Sequence, residues 1–168
     1  MDQQDQSQLF QQLLEQHKGL LYKVARTYCR DEADRQDLLQ EILIQLWQSF
    51  HKYNGQFKIT TWLYRIALNV AISFYRKNAG RKLSNTPLDD QMVLIQEVDK
   101  TDKEAQLLLL EQFIAELRDL DKALMLLYLE ERSHVEIAEI LGISVSNVAT
   151  KIGRIKIQLK QKFSDLKS

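Results

Sequence analysis

Residues 34–50, DRQDLLQEILIQLWQSF, and residues 61–82, TWLYRIALNVAISFYRKNAGRK, decide how the chain is read. In the first, Leu39, Ile42, Leu43, Leu46, Trp47 and Phe50 recur at helical spacing and form one apolar stripe. Asp34, Asp37, Glu41, Gln45 and Gln48 form the opposite stripe. Acids at a helix start complement its macrodipole, which accounts for Asp34, for Asp37 less directly, and less well for Glu41, two turns further in. A polar stripe this regular suits a protein partner. In the second stretch Leu63, Ile66, Ala67, Val70, Ala71 and Phe74 face a core, while Arg65, Asn69, Ser73, Arg76 and Lys77 face away.

Between Glu41 and Asp89 there is no carboxylate, yet Lys52, Lys58, Arg65, Arg76, Lys77, Arg81 and Lys82 fall there. Phe50, Tyr53, Phe57, Trp62, Tyr64, Phe74 and Tyr75 are interleaved with them. That mixture suits a polyanion that also offers bases to stack on. A merely solvated helix face usually carries some Glu, and this one carries none. Arg and Asn are the side chains with bidentate geometry for phosphate or base edges.

The chain has 168 residues, with only five Gly and one Pro, so helix is favoured over a turn-rich β fold. Its formal net charge is zero. That average hides segregation, and the local field is what a phosphate feels. A second acid-free stretch, residues 142–164, holds Lys151, Arg154, Lys156, Lys160 and Lys162. Cys29 is the one cysteine, so no internal disulfide forms, and a reduced compartment fits. The N-terminal MDQQDQSQLFQQ lacks the basic and apolar regions of a signal peptide. No uncharged apolar run approaches a membrane span. A cytoplasmic protein without direct membrane insertion is expected.

Residues 9–28 read as a helix, capped by Ser7, with Phe10, Leu13, Leu14, His17, Leu21, Val24, Ala25 and Tyr28 on its stripe. Residues 51–58, HKYNGQFK, form a connection turning at Asn54-Gly55. Thr60 or Thr61 then caps a helix reaching about Asn78. Residues 79–103 are weakly structured and acidic, with room for a short helix around Leu88, Met92, Val93, Leu94, Ile95 and Val98. The domain boundary falls here. Helices follow over 104–117 and 121–130.

Ser133 caps HVEIAEILG, with Glu136 in the capping-box position, and Gly142 ends that helix. Ser144 or Ser146 starts the next, which turns Val148, Ile152, Ile155 and Leu159 inward. Ala138 is small where the two helices cross, and Ile143 plugs the space beneath. This is a helix-turn-helix. Ser146, Asn147, Thr150, Lys151 and Arg154 point outward from its second helix, as a major-groove reader requires. Lys156, Lys160 and Lys162 lie nearer the phosphates.

DLLQEILIQLW, then TWLYRIALNVAISFYRK, then EIAEILGISVSNVATKIGRIK resemble a bacterial RNA polymerase sigma factor of the sigma-70 family. Two modules and a short linker resemble the extracytoplasmic-function group, over about residues 9–163. The resemblance implies an all-α fold of two small helical domains joined by a linker, the second a helix-turn-helix, winged-helix-like domain. Residues 1–80 would be region 2, 81–104 the linker and 105–168 region 4. Asp37, Gln40, Glu41 and Gln45 would bind the clamp helices of the largest subunit of core RNA polymerase. Lys52, Tyr53, Asn54, Phe57, Lys58, Arg65, Asn69, Ser73, Arg76 and Lys77 would engage the −10 element as single strand, with a flipped base held by the 51–58 loop. Ser144, Ser146, Asn147, Thr150, Lys151, Arg154 and Lys156 would bind the −35 element as duplex. The helices before Glu130 would meet the polymerase flap, and an anti-sigma protein is a further implied partner. The chain departs from the family at Asp121 (for proline), Asn147, Ala149 and Lys151, and Gly153 interrupts the recognition helix.

No catalytic group, metal, cofactor or small-molecule substrate is expected. His17, His51 and His134 show no ligand pairing, and no phosphate loop or nucleophile motif occurs. The rival reading is a helix-turn-helix repressor or activator acting without polymerase, for which the aromatic, basic stretch has no use. The acidic linker, residues 89–104, is expected to lie against the basic faces when polymerase is absent.

Overall fold

The computed structural model describes residues 2–82 and 102–167, all in helices and their connections. The expected short helix and the charges of residues 83–101, and so the linker's expected docking on the basic faces, lie outside the described residues. No strand occurs among the described residues.

The first helical group is α1 (Gln3–Tyr28), α2 (Glu32–Phe50) and α3 (Ile59–Lys82), each packed on the other two. The stripe expected on α1 is the one it buries: Phe10, Leu21, Val24, Ala25 and Tyr28 are inside. Ser7 is not its cap. The helix starts at Gln3 after Asp2, and departs from helical dihedrals at His17 (φ −121°, ψ 17°). The turn into α2 is capped instead by Asp31, whose carboxylate accepts from the Asp34 amide at 3.4 Å.

On α2 the buried line is Leu38, Ile42 and Leu46. Trp47, expected inside, is 45% exposed and tilts against Phe10, with ring centroids 5.1 Å apart. α3 begins earlier than expected, because the Trp62 amide already bonds to the Lys58 carbonyl at 3.0 Å. Thr61 therefore sits within the first turn, 2% exposed, and caps nothing.

The second group is α4 (Asp102–Ala115), α5 (Asp119–Leu129), α6 (His134–Leu141) and α7 (Val145–Lys167). α7 packs across α5 and α6 through Val148, Ile152, Ile155 and Leu159, all buried. The expected capping box is present: the Glu136 amide donates to Ser133 Oγ at 3.1 Å, and Ser133 Oγ donates to Glu136 Oε1 at 3.3 Å. Gly142 is left-handed (φ 71°), so the Gly142 and Ile143 amides both reach the Ala138 carbonyl and turn the chain into α7.

The two groups are in contact. α3 lies against α5 and α6, and α1 against α4 and α5. Tyr64 and Leu68, off the stripe expected for α3, are 2% and 1% exposed. α3 thus buries a second face, which one-sided periodicity could not foretell.

Candidate nucleic-acid interface

Three surfaces carry the expected site residues. The first is the outer side of α2, where Asp37, Gln40, Glu41 and Gln45 are all exposed. Ile44 and Trp47 stand among them, 54% and 45% exposed. The sequence reading placed Trp47 in the core and left Ile44 out. Yet Ile44 interrupting a run of polar positions was the visible signal of an apolar contact point on this face.

The second surface is the 51–58 loop with α3. Asn54 Oδ1 accepts from the Gln56 amide at 3.0 Å and Gly55 takes φ 80°, so the expected turn forms. Tyr53 closes the loop by donating its hydroxyl to the Phe57 carbonyl at 2.7 Å, while its ring tilts against Trp62 at 5.2 Å. Lys52 and Lys58 are exposed on either side. The Arg65 guanidinium stands 4.9 Å over the Phe57 ring, tying loop to helix. Asn69, Ser73, Arg76 and Lys77 continue the line and are exposed. The structure therefore brings all ten of these residues onto one loop-and-helix surface, flanked by half-buried aromatic rings.

The third surface is the start of α7. Ser144 accepts from the Asn147 amide at 3.1 Å and is the cap. Ser146, Asn147, Thr150 and Arg154 are exposed on successive turns, and Lys151 is half-buried beside them. Thr150 gives its hydroxyl proton to the Ser146 carbonyl at 2.9 Å. Lys156 is set apart: its ammonium lies 4.1 Å over the Tyr128 ring, packed on α5 rather than ranged with the others.

Two of these surfaces converge. Arg76 of α3 shares a groove of about 610 Å³ with Arg118, Asp119, Lys151, Arg154 and Lys162. Within it the Arg76 guanidinium pairs with the Asp119 carboxylate. Burial raises the Asp119 pKa, but the Arg76 and Leu120 hydrogen bonds more than offset this and hold it below the usual carboxylate range. Arg65 donates to the Glu139 carbonyl at 3.1 Å. Tyr28 donates to the Asp119 carbonyl at 2.6 Å, and burial pushes its phenol well up. Lys122, 3% exposed, lies 4.4 Å over the Tyr75 ring and 5.8 Å over that of Tyr28. Lys23 reaches Glu130 at 2.9 Å, and Arg132 stands 5.5 Å over Tyr64. None of Asp119, Lys122, Glu130 and Arg132 was singled out in the sequence, because their partners lie scores of residues away.

Among the described residues no group of three His, Cys, Asp or Glu could hold a metal, and no helix is long and apolar enough to cross a membrane.

Residues 13–81 match the family model for Sigma-70 region 2, and residues 107–159 that for Sigma-70, region 4. RNA polymerase sigma factor YlaC of Bacillus subtilis is 30% identical, over 84% of this chain and 83% of that protein. ECF RNA polymerase sigma factor SigW of the same organism is 27% identical, over 94% and 90%. In fold the chain is similar to the sigma factor RpoE from Bartonella quintana, solved with the anti-sigma factor NepR. That match has a TM-score of 0.69 at 17% identity and covers 92% of this chain and 96% of that one. CnrH, solved with the cytosolic domain of CnrY, matches at 0.68 and 21% identity, over 95% and 90%. The chain belongs to the RNA polymerase sigma factors of the sigma-70 family, in the extracytoplasmic-function group.

Proposed function

We infer that this sigma factor binds core RNA polymerase, brings it to particular promoters and helps melt them, using the three surfaces in three separate roles. Residues 1–80 serve as the polymerase-clamp and −10 module, residues 105–168 as the −35 module, and residues 81–104 as their connection. Asp37, Gln40, Glu41 and Gln45, with Ile44 and Trp47 as apolar anchors, take the clamp helices of the largest subunit. The 51–58 loop and the Arg65–Lys77 face take the −10 strand after unpairing. There Asn69 and Ser73 offer hydrogen bonds to base edges, and the cations offer charge to phosphates. The start of α7 enters the major groove of the −35 duplex with Ser146, Asn147, Thr150, Lys151 and Arg154.

The observation that carries this reading is the pairing on one chain of an aromatic-flanked loop and helix, drawn from an acid-free stretch of sequence, with a helix-turn-helix whose recognition helix exposes short polar and basic side chains. Neither module needs a catalytic group, so the chain acts as an initiation factor and not as an enzyme. Each module binds weakly alone, and holding both on one polymerase raises the effective concentration of the second contact. The likeness to a chain solved with an anti-sigma factor supports a partner of that kind here, and a cytoplasmic location follows from the polymerase.

The test is reconstitution. Core polymerase, the chain and genomic DNA fragments should yield discrete start sites that core polymerase alone does not give. Glu41→Lys should abolish co-elution with core polymerase while leaving the chain folded by circular dichroism. An absence of new start sites would overturn the reading.

A further inference from the structure

We propose that Tyr53 is a positioning residue of the 51–58 loop: its hydroxyl ties the loop shut, and that tie holds Asn54 where it tells one unpaired base from another. This deepens the assignment of the loop to the −10 strand and rests on it.

Tyr53 has little left to give to DNA directly. Its amide is bonded to the Phe50 carbonyl at 3.2 Å, at the end of α2. Its ring tilts against Trp62 with centroids 5.2 Å apart, and Trp62 tilts in turn against Phe50 at 6.3 Å. A tyrosine hydroxyl has one proton to donate, and Tyr53 gives it to the Phe57 carbonyl at 2.7 Å. Amide, one ring face and hydroxyl proton are thus spent within the protein. What Tyr53 does for the strand, it does through its neighbours.

Few other bonds hold this loop. Among the described residues no backbone–backbone hydrogen bond begins or ends at Asn54, Gly55, Gln56 or Phe57. Side chains join the two limbs instead. Tyr53 bridges to Phe57, and Asn54 Oδ1 accepts from the Gln56 amide at 3.0 Å. Gly55 lies between them at φ 80°, which a glycine takes without strain. From α3, the Arg65 guanidinium covers the Phe57 ring at 4.9 Å.

The closed loop leaves one defined group for a base edge. Asn54 is exposed, and its Oδ1 is already used by Gln56, so its Nδ2 remains with two donors. Lys52 and Lys58, exposed on either side, supply charge to the flanking phosphates. A donor held in one place rewards only a base that brings an acceptor to it. A donor on a loose loop must be ordered afresh for every base, at a cost in affinity and in discrimination.

The test is Tyr53→Phe in the intact chain, which keeps the ring and removes only the hydroxyl. In the free protein, hydrogen exchange at the Gln56 amide should quicken about two- to tenfold, the range one net hydrogen bond allows, with the helix signal unchanged. With core polymerase, opening rates are compared on promoters bearing each of the four bases in turn at each unpaired −10 position. The ratio of best base to worst, at the position where wild type is most selective, should fall by a similar factor of about two to ten. In an Asn54→Ala background the same substitution should lower that ratio no further, because its effect runs through Asn54.

Unchanged exchange at Gln56 would overturn the tie. Faster exchange with an unaltered ratio would overturn the positioning role and leave the −10 assignment standing. Losses from Tyr53→Phe and Asn54→Ala that simply add would make Tyr53 a direct contact, and the proposal fails. Wild-type chain that gives no start sites at all removes the proposal together with the function beneath it.

Discussion

At the scale of single residues, two glycines near the proposed −35 surface act in opposite directions. Gly153 lies inside α7 with nothing within 4 Å of where a Cβ would stand. A glycine in a helix interior costs about 1 kcal/mol relative to alanine. Gly153→Ala should therefore raise stability by about 1 kcal/mol, seen as a higher urea midpoint at unchanged slope. Gly142 has equal space around it, but its φ is 71°. A side chain there costs about 1–2 kcal/mol in backbone strain, so Gly142→Ala should lower the midpoint correspondingly. Arg154 is exposed on the turn after Thr150 and Lys151. If its fork meets a base edge, Arg154→Ala should weaken binding of the polymerase complex to the −35 duplex by about 1–3 kcal/mol and relax preference at one position. A uniform loss across sequences, with the salt slope reduced by about 1, would make it a phosphate contact.

At the scale of elements, α3 carries the proposed −10 face and also packs against α5 and α6. Its outer line runs from Arg65 through Asn69 and Ser73 to Arg76, one side chain per turn. Asn69 is exposed and uncharged, so it adds nothing to steering toward duplex, and its proposed use is a hydrogen bond to an unpaired base. Asn69→Ala should therefore slow promoter opening, measured by permanganate reactivity of unpaired thymines, more than it weakens the initial closed complex. Equal effects on both steps would place Asn69 on duplex.

The helix-turn-helix was fully legible because its signals are local: Ser133, Glu136 and Gly142 fix two helix ends within ten residues, and Val148, Ile152, Ile155 and Leu159 give one clean inner face. The α2 surface was legible in its polar residues for the same reason. α3 was legible only in part. Its periodicity marks the face turned to α1 and α2. α3 also packs against α5 and α6, more than fifty residues on, with Arg132 over the buried Tyr64 ring, and no local rule reports that. Thr60 and Thr61 looked like caps because threonine caps are common, but a buried Thr61 serves packing. Closure of the two groups left no sequence signal, since Asp119, Lys122 and Glu130 are unremarkable in a helical region.

At the scale of the whole molecule, the contact between the groups joins polar pairs to a hydrophobic core that runs through both. One part-buried hydrogen bond from Tyr28 contributes about 0.5–1.5 kcal/mol, and the desolvated Lys122–Tyr75 contact about 2 kcal/mol. The ion pair at Lys23, whose side chain is 55% exposed, contributes under about 1 kcal/mol.

The same groups set the pH dependence. Burial raises the Tyr28 and Tyr64 phenols, and the hydrogen bond to Glu130 raises Lys23. Released from the contact, these groups ionise near their ordinary values of about 10. Above that pH the separated state binds fewer protons than the closed one, so closure weakens as pH rises. Asp119 works at the other end. Its lowered pKa stabilises closure above the ordinary carboxylate value, and that contribution is lost as pH falls through the depressed one. Closure should thus be level from about pH 5 to 9 and fall beyond pH 10. Scattering and circular dichroism recorded together from pH 8 to 11 check this. The radius of gyration should rise while the helix signal persists, because the groups part before either one melts. A helix signal lost in step with the expansion would mean that these residues hold up the folds themselves and not the joint between them.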